Sequence, residues 1–177
     1  MLKINLQNKK LAVNGSKPYR KKKWHNNITT NYQELKVLKK ILIDGNLSLF
    51  EGSYKPEKPF SFEGGPEIKK LEKNWSKFYG SKYSVSLNSA TSGLYASIGA
   101  LGIGYGDEVI VSPFTMTACA IAPLIYGAIP IFADVEKNTG CIDPKSFERK
   151  ITKRTKAIIV VHQFGFPANM KEIKKIA

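Results

Sequence analysis

Cysteine, histidine and arginine are all scarce in this chain. Its 177 residues include two cysteines, Cys119 and Cys141. Two thiols cannot build a disulfide scaffold or a four-thiolate metal site. Histidine occurs only as His25 and His162, so metal binding has no support. No Ser-His-Asp or Cys-His arrangement is readable from the spacing. Arginine supplies three of the 28 basic residues: Arg20, Arg149 and Arg154. A nucleic-acid reader recruits Arg for bidentate contacts to phosphates and bases, so specific nucleic-acid binding is not expected. No repeat runs at a fixed period. No apolar core of a signal peptide follows Met1, so secretion is unsupported and a cytoplasmic location is expected. Residues 109–133 lack charge and are long enough to cross a bilayer, but Pro113, Pro123 and Pro130 divide them. That stretch reads as strand, helix and strand, not as a membrane span.

What remains is an ordinary globular balance, 42% apolar and 24% charged. The net charge of +14 is uneven. Residues 1–82 hold 18 basic and 7 acidic groups, and residues 83–177 hold 10 and 7. The front is therefore a basic segment that attracts anions without specificity.

Two regions are expected: 1–65, a basic arm, a helix and a Pro/Gly-rich loop, and 66–177, a regular α/β segment. Leu35, Leu38, Ile41 and Leu42 predict a helix over 32–44, ended by Gly45-Asn46. Residues 46–65 read as a loop whose length leans towards function. Ile68, Leu71, Trp75 and Phe78 predict a helix that Pro66 opens and Gly80 closes. Strands are expected at 84–88, 109–112, 129–133 and 157–161. Helices are expected at 91–101, 115–126, 143–150 and 169–177. Such alternation implies a mainly parallel sheet covered on both faces. The apolar run 157–161 fits a strand buried on both sides.

Three short segments can carry chemistry. Asn88-Ser89-Ala90-Thr91-Ser92-Gly93 sits where a strand turns into a helix. Small residues and a helix N-terminus suit a phosphate, with hydroxyls on Ser89, Thr91 and Ser92 available. Ser and Thr are equally ordinary helix caps. No Walker pattern and no GxGxxG after a strand is present; Gly102, Gly104 and Gly106 form a turn. Ser112-Pro113-Phe114-Thr115-Met116-Thr117-Ala118 follows the second strand, where Phe and Met also suit core packing. Val161-His162-Gln163-Phe164-Gly165-Phe166-Pro167 places His162 at the carboxyl edge, where α/β proteins take ligands.

These blocks, with Leu11-Ala12-Val13-Asn14-Gly15-Ser16-Lys17-Pro18, Gly45-Asn46-Leu47-Ser48, Gly65-Pro66-Glu67-Ile68, Gly106-Asp107-Glu108-Val109-Ile110 and Gly127-Ala128-Ile129-Pro130-Ile131-Phe132-Ala133-Asp134-Val135, stand in a familiar order. The order and spacing resemble the front half of the DegT/DnrJ/StrS family of sugar aminotransferases, which depend on pyridoxal 5'-phosphate. The resemblance implies an incomplete fold type I aminotransferase large domain, an α/β structure with a mainly parallel sheet flanked by helices. It implies that Ala90 and Thr91 hold the cofactor phosphate. Met116 falls where many members stack an aromatic ring on the pyridine, and a thioether can also pack on a ring face. His162 completes the candidate cofactor contacts. Asn169 stands where the family usually has Asp, and Lys171 where it often has another acid; both changes point to helix capping or surface.

In the family, a pyridine-binding Asp and a Schiff-base Lys lie further along, and this sequence stops at Ala177 before either. None of its 25 lysines matches the family position, so no catalytic residue is assigned. The resemblance implies keto-sugar substrates, commonly nucleotide-linked, an amino donor such as glutamate, and a homodimer. It leaves open a dehydratase-type member with His in place of that Lys. A non-catalytic remnant and a basic binding protein using residues 1–82 are the readings from other classes.

Overall fold

The computed structural model describes residues 11–45 and 64–177. Most of the expected 46–65 loop, and the start of the basic arm, lie outside the described residues. The chain divides into two units, Met1–Pro66 and Glu67–Ala177.

In the first unit, helix α1 spans Tyr32–Asp44. Asn31 caps it by accepting from the Gln33 N–H, while Glu34 reaches back to the Asn31 N–H at 2.7 Å. This reciprocal pair satisfies two orphan donors at the helix start. Gly45, at φ 65, ends it in the left-handed conformation that glycine adopts without strain. The expected apolar stripe exists as a stripe, but no α1 residue is buried.

The second unit opens with α2, Pro66–Tyr79, and continues with α3, Ala90–Ala100. Strand β1 is Glu108–Val111, followed by α4, Ala118–Ile125, and β2, Ile129–Phe132. Helix α5, Pro144–Arg149, leads to β3, Thr155–Ile158, and α6, Met170–Ile176. The three strands form one parallel sheet in the order β2-β1-β3.

β1 is central, and all four of its residues are buried. Successive side chains of a strand face opposite ways. Val109 and Val111 join Ile98, Ile103, Ala122 and Ala128 on one side. Ile110 joins Ala133, Cys141, Ile142, Phe147, Ala168 and Ile173 on the other. Helices α3 and α4 thus cover one face, and α5 and α6 the other. Asp143 caps α5 through the Lys145 N–H, with Pro144 in the first turn. Asn169 caps α6 through the Glu172 N–H.

Several expectations need correction. The strand expected at 84–88 does not form: these residues run without helix or strand pairing among the described residues. A strand needs a ladder partner, and here the Ser86 N–H and hydroxyl both donate to the Glu72 carboxylate on α2, at 2.8 and 2.9 Å. The segment 157–161 is half-buried rather than buried on both sides, because β3 is the sheet edge. Its pairing begins earlier, at Thr155, since Glu108 pairs with Thr155 before the register shifts. Helix α4 starts three residues late, because 112–117 form a loop. Pro123 lies inside α4 and is buried; the helix runs only two residues past it. No residue of α2 is buried, so its Leu71, Trp75 and Phe78 stripe is open.

The amino end of the sheet holds a buried carboxylate. Glu108 is 2% exposed and accepts from the Thr152 hydroxyl and the Arg154 guanidinium. The Thr152 hydrogen bond, with lesser help from Arg154, holds its pKa below the ordinary carboxylate range. A lowered folded pKa gives stability that is complete above the unfolded value and lost as pH falls through the folded one. Acid should therefore unfold the parent chain more steeply than Glu108→Gln, below roughly pH 5. Melting midpoints across that range measure it, and parallel curves for the two proteins would reject the coupling.

Candidate functional site

Because β1, β2 and β3 are parallel, the chain leaves all three at one edge. The segments that follow them are 112–117, 133–143 and 159–168. All three meet around Phe114. Its ring lies edge-on to Phe164, with centroids 6.3 Å apart at 72°. Val135 and Ile142 form an antiparallel bridge that folds the second segment back on itself. Gly140, near its tip, has φ 70, and a Cβ there would sit 3.2 Å from the Phe114 ring. The Cys141 thiol donates to the Phe166 carbonyl at 3.4 Å, tying the second segment to the third. At the root of the second segment, buried Ser146 accepts from the Asp134 N–H at 2.9 Å.

Met116 is 76% exposed at this edge. Its loop is held beneath by buried Ser112, whose hydroxyl accepts from the Phe114 N–H at 3.2 Å. Its own carbonyl accepts from the Cys119 N–H as α4 begins. His162 is exposed, and its Nδ1 accepts from the Ala168 N–H at 3.1 Å. That bond needs a lone pair on Nδ1, so the neutral ring carries its proton on Nε2. His162 therefore clips the 162–168 turn while turning a donor outward.

Inside this turn Phe164 adopts φ 51 and ψ 28, and Gly165 follows at φ 84. Phe164 is the only described residue other than glycine with positive φ. Left-handed backbone costs a side-chain-bearing residue about 1–2 kcal/mol.

Ala90 and Thr91 open α3. Ser89 is the cap and accepts from the Ser92 N–H at 3.1 Å. The Ser92 hydroxyl donates to Asn88 at 2.7 Å. Two of the three hydroxyls expected to serve a ligand are thus engaged within the loop. The Ala90 N–H, the Thr91 N–H and the Thr91 hydroxyl have no partner among the described residues. Helix α3 packs along α4, and Tyr126 at the end of α4 lies over Gly99 near the end of α3.

The loops of Met116 and His162 share one edge, because β1 and β3 are parallel, and Ala90 and Thr91 head a helix that packs against α4. The donor set at α3 suits a phosphate: two free N–H groups, one hydroxyl and a helix dipole. The Phe114–Phe164 contact and the Gly140 cradle escaped sequence reasoning. The Phe-Gly-Phe run at 164–166 was their one visible sign. A separate open groove of about 610 Å³ lies between α2 and 81–87, lined by Leu71, Trp75, Tyr79, Tyr83, Val85 and Leu87 among others. It includes none of the candidate residues. Among the described residues no three His, Cys, Asp or Glu side chains gather as a metal site, and no helix is long and apolar enough to cross a membrane.

Known proteins agree with this architecture. The DegT/DnrJ/EryC1/StrS aminotransferase family matches residues 57–177. The spore coat polysaccharide biosynthesis protein SpsC of Bacillus subtilis is 42% identical over 113 residues, 64% of this chain and 29% of that protein. An aminotransferase from Psychrobacter cryohalolentis superposes with a TM-score of 0.72 at 31% identity, over 84% of this chain and 34% of the other. NtdA of Bacillus subtilis, solved with bound cofactor PMP, gives 0.70 at 29% identity, over 84% and 31%. The chain thus spans about a third or less of these relatives' length, and it shares the fold type I aminotransferase architecture. The parallel sheet, the order of its loops and the match over most of its length agree: the chain belongs to the DegT/DnrJ/EryC1/StrS aminotransferase family.

Proposed function

We propose that this chain forms the front part of the cofactor-binding large domain of a pyridoxal-phosphate-dependent sugar aminotransferase in amino-sugar or polysaccharide biosynthesis. Residues 1–65 form the arm, helix and loop of that enzyme, and 66–177 the start of the large domain. The observation that carries this reading is the head of α3. There, in a member of this family, two N–H groups and the Thr91 hydroxyl have no partner among the described residues, beside a cap that is already satisfied.

Ala90 and Thr91 grip the phosphate through the two N–H groups and the Thr91 hydroxyl. Asn88, Ser89 and Ser92 hold that loop in shape through their mutual hydrogen bonds. Met116, exposed at the sheet edge, offers a polarizable face to the ring. His162 orients its turn through Nδ1 and presents Nε2–H as a donor. The bound cofactor supplies an electron sink for moving an amino group. The substrate is a keto sugar, commonly nucleotide-linked, and the donor an amino acid such as glutamate. Homodimeric assembly and a cytoplasmic location belong to the same reading. These 177 residues by themselves are inactive.

The test is a titration of the purified chain with pyridoxal 5'-phosphate and with pyridoxal, followed by fluorescence. The phosphate form should bind more tightly. Thr91→Val should weaken it by about tenfold, the loss of one hydrogen bond to a charged group. Slow, scattered labelling of surface lysines should not change in the variant. Equal affinity for the two forms, or an indifferent Thr91→Val, rejects the assignment.

A further inference from the structure

We propose that Phe164 and Phe114 form an aromatic corner that stacks on the planar base of a nucleotide-linked substrate, which makes Phe164 a specificity-determining residue. This rests on the reading of the site given above. Phe164 is 92% exposed, so packing among the described residues does not account for it. Its backbone nevertheless sits in a region that a bulky side chain seldom adopts. Glycine follows it, also with positive φ, so two successive left-handed residues set the direction of the ring. An unfavourable backbone kept for an exposed ring at a ligand-binding edge points to a use for that ring.

The corner is also preset. Phe114 is half exposed and meets Phe164 edge-on. Gly140 lets the Phe114 ring approach where any Cβ would crowd it. The Phe164 turn is fastened on both sides, by the Ala168 N–H on His162 and by the Cys141 thiol on the Phe166 carbonyl. Two rings at a steep angle leave a face and an edge for a third flat group, the arrangement aromatic clusters favour. A nucleobase fits that demand, because every base has a π face that stacks on an aromatic side chain.

Calorimetric titration of the 177-residue chain with uridine diphosphate, adenosine diphosphate and pyrophosphate tests this. Both nucleotides should bind more tightly than pyrophosphate. Phe164→Ala should weaken both by roughly five- to a hundredfold, the range of one base–aromatic stack, and leave pyrophosphate unchanged. Phe164→Gly should give the same loss while its melting midpoint stays level or rises, because glycine accepts that φ without strain. The loss then cannot be ascribed to unfolding. Nucleotides that fail to bind the parent, or bind it no better than they bind the variants, overturn the proposal. So does a Phe164→Ala chain that loses self-association with nucleotide affinity intact, since the ring would then be an interface group. Pyridoxal 5'-phosphate titrated in parallel separates the two layers. Its retention alongside nucleotide failure overturns the stacking corner alone, and its failure in the parent overturns the reading beneath.

Discussion

No turnover above background is expected when the purified 177-residue chain is supplied with pyridoxal 5'-phosphate, glutamate and a nucleotide-linked keto sugar. The residues at the head of α3 can grip a phosphate, but grip is uniform binding and does not lower a barrier. Amino transfer needs a lysine that carries the cofactor and moves a proton, and a carboxylate that keeps the pyridine nitrogen protonated. On the reading proposed above, none of the chain's 25 lysines is assigned that role. His162 has one nitrogen committed to the Ala168 N–H. Product formation followed by mass spectrometry is the assay. Turnover that survives exclusion of a contaminating full-length enzyme would show that the essential groups lie within these residues after all.

The helices were legible because their signals are local. Apolar residues three and four apart mark α2 and α6, and Asp143-Pro144 marks the start of α5. β1 and β2 were legible for a different reason: short apolar runs between turns leave few alternatives. Residues 84–88 look like such a run and do not pair. Strand formation depends on a neighbour, which a local pattern cannot supply, and the Ser86 N–H goes to Glu72 instead. The same dependence explains β3. Its apolar content suggested burial on both faces, but its place at the sheet edge leaves it half covered.

The site was legible in its parts and not in its arrangement. The Asn88–Gly93 segment announced a helix head, yet nothing in its spacing showed that Ser89 and Ser92 would engage each other and leave Thr91 alone. Met116 and His162 could be placed at strand ends by periodicity alone. The contact of Phe114 with Phe164 could not, because it joins residues 50 positions apart through a backbone conformation that phenylalanine rarely adopts.

Phe147→Ala should be among the most damaging single changes in the chain, with a loss of about 3–5 kcal/mol. Phe147 is 2% exposed, and it stands on α5, a helix of six residues. So short a helix does not hold itself in water and depends on its packed face. Truncation removes that face and leaves a cavity against Ile110, Ile142 and Ile173. Ile110→Ala, from the centre of β1 on the same side, should cost about 2–5 kcal/mol. Domain stabilities are about 5–15 kcal/mol, so either loss is a large fraction of the whole. Phe78→Ala is the matched control, because Phe78 on α2 is 81% exposed and its truncation should fall within about 0.5 kcal/mol. Urea midpoints followed by circular dichroism give the comparison. If Phe147→Ala and Phe78→Ala shift the midpoint equally, the α5–α6 face is not the packed core described here. The consequence reaches the site, because the segment from β2 to α5 carries Gly140 and Cys141. With that face loosened, the fastening of the Phe166 turn and the cradle under Phe114 would be lost together.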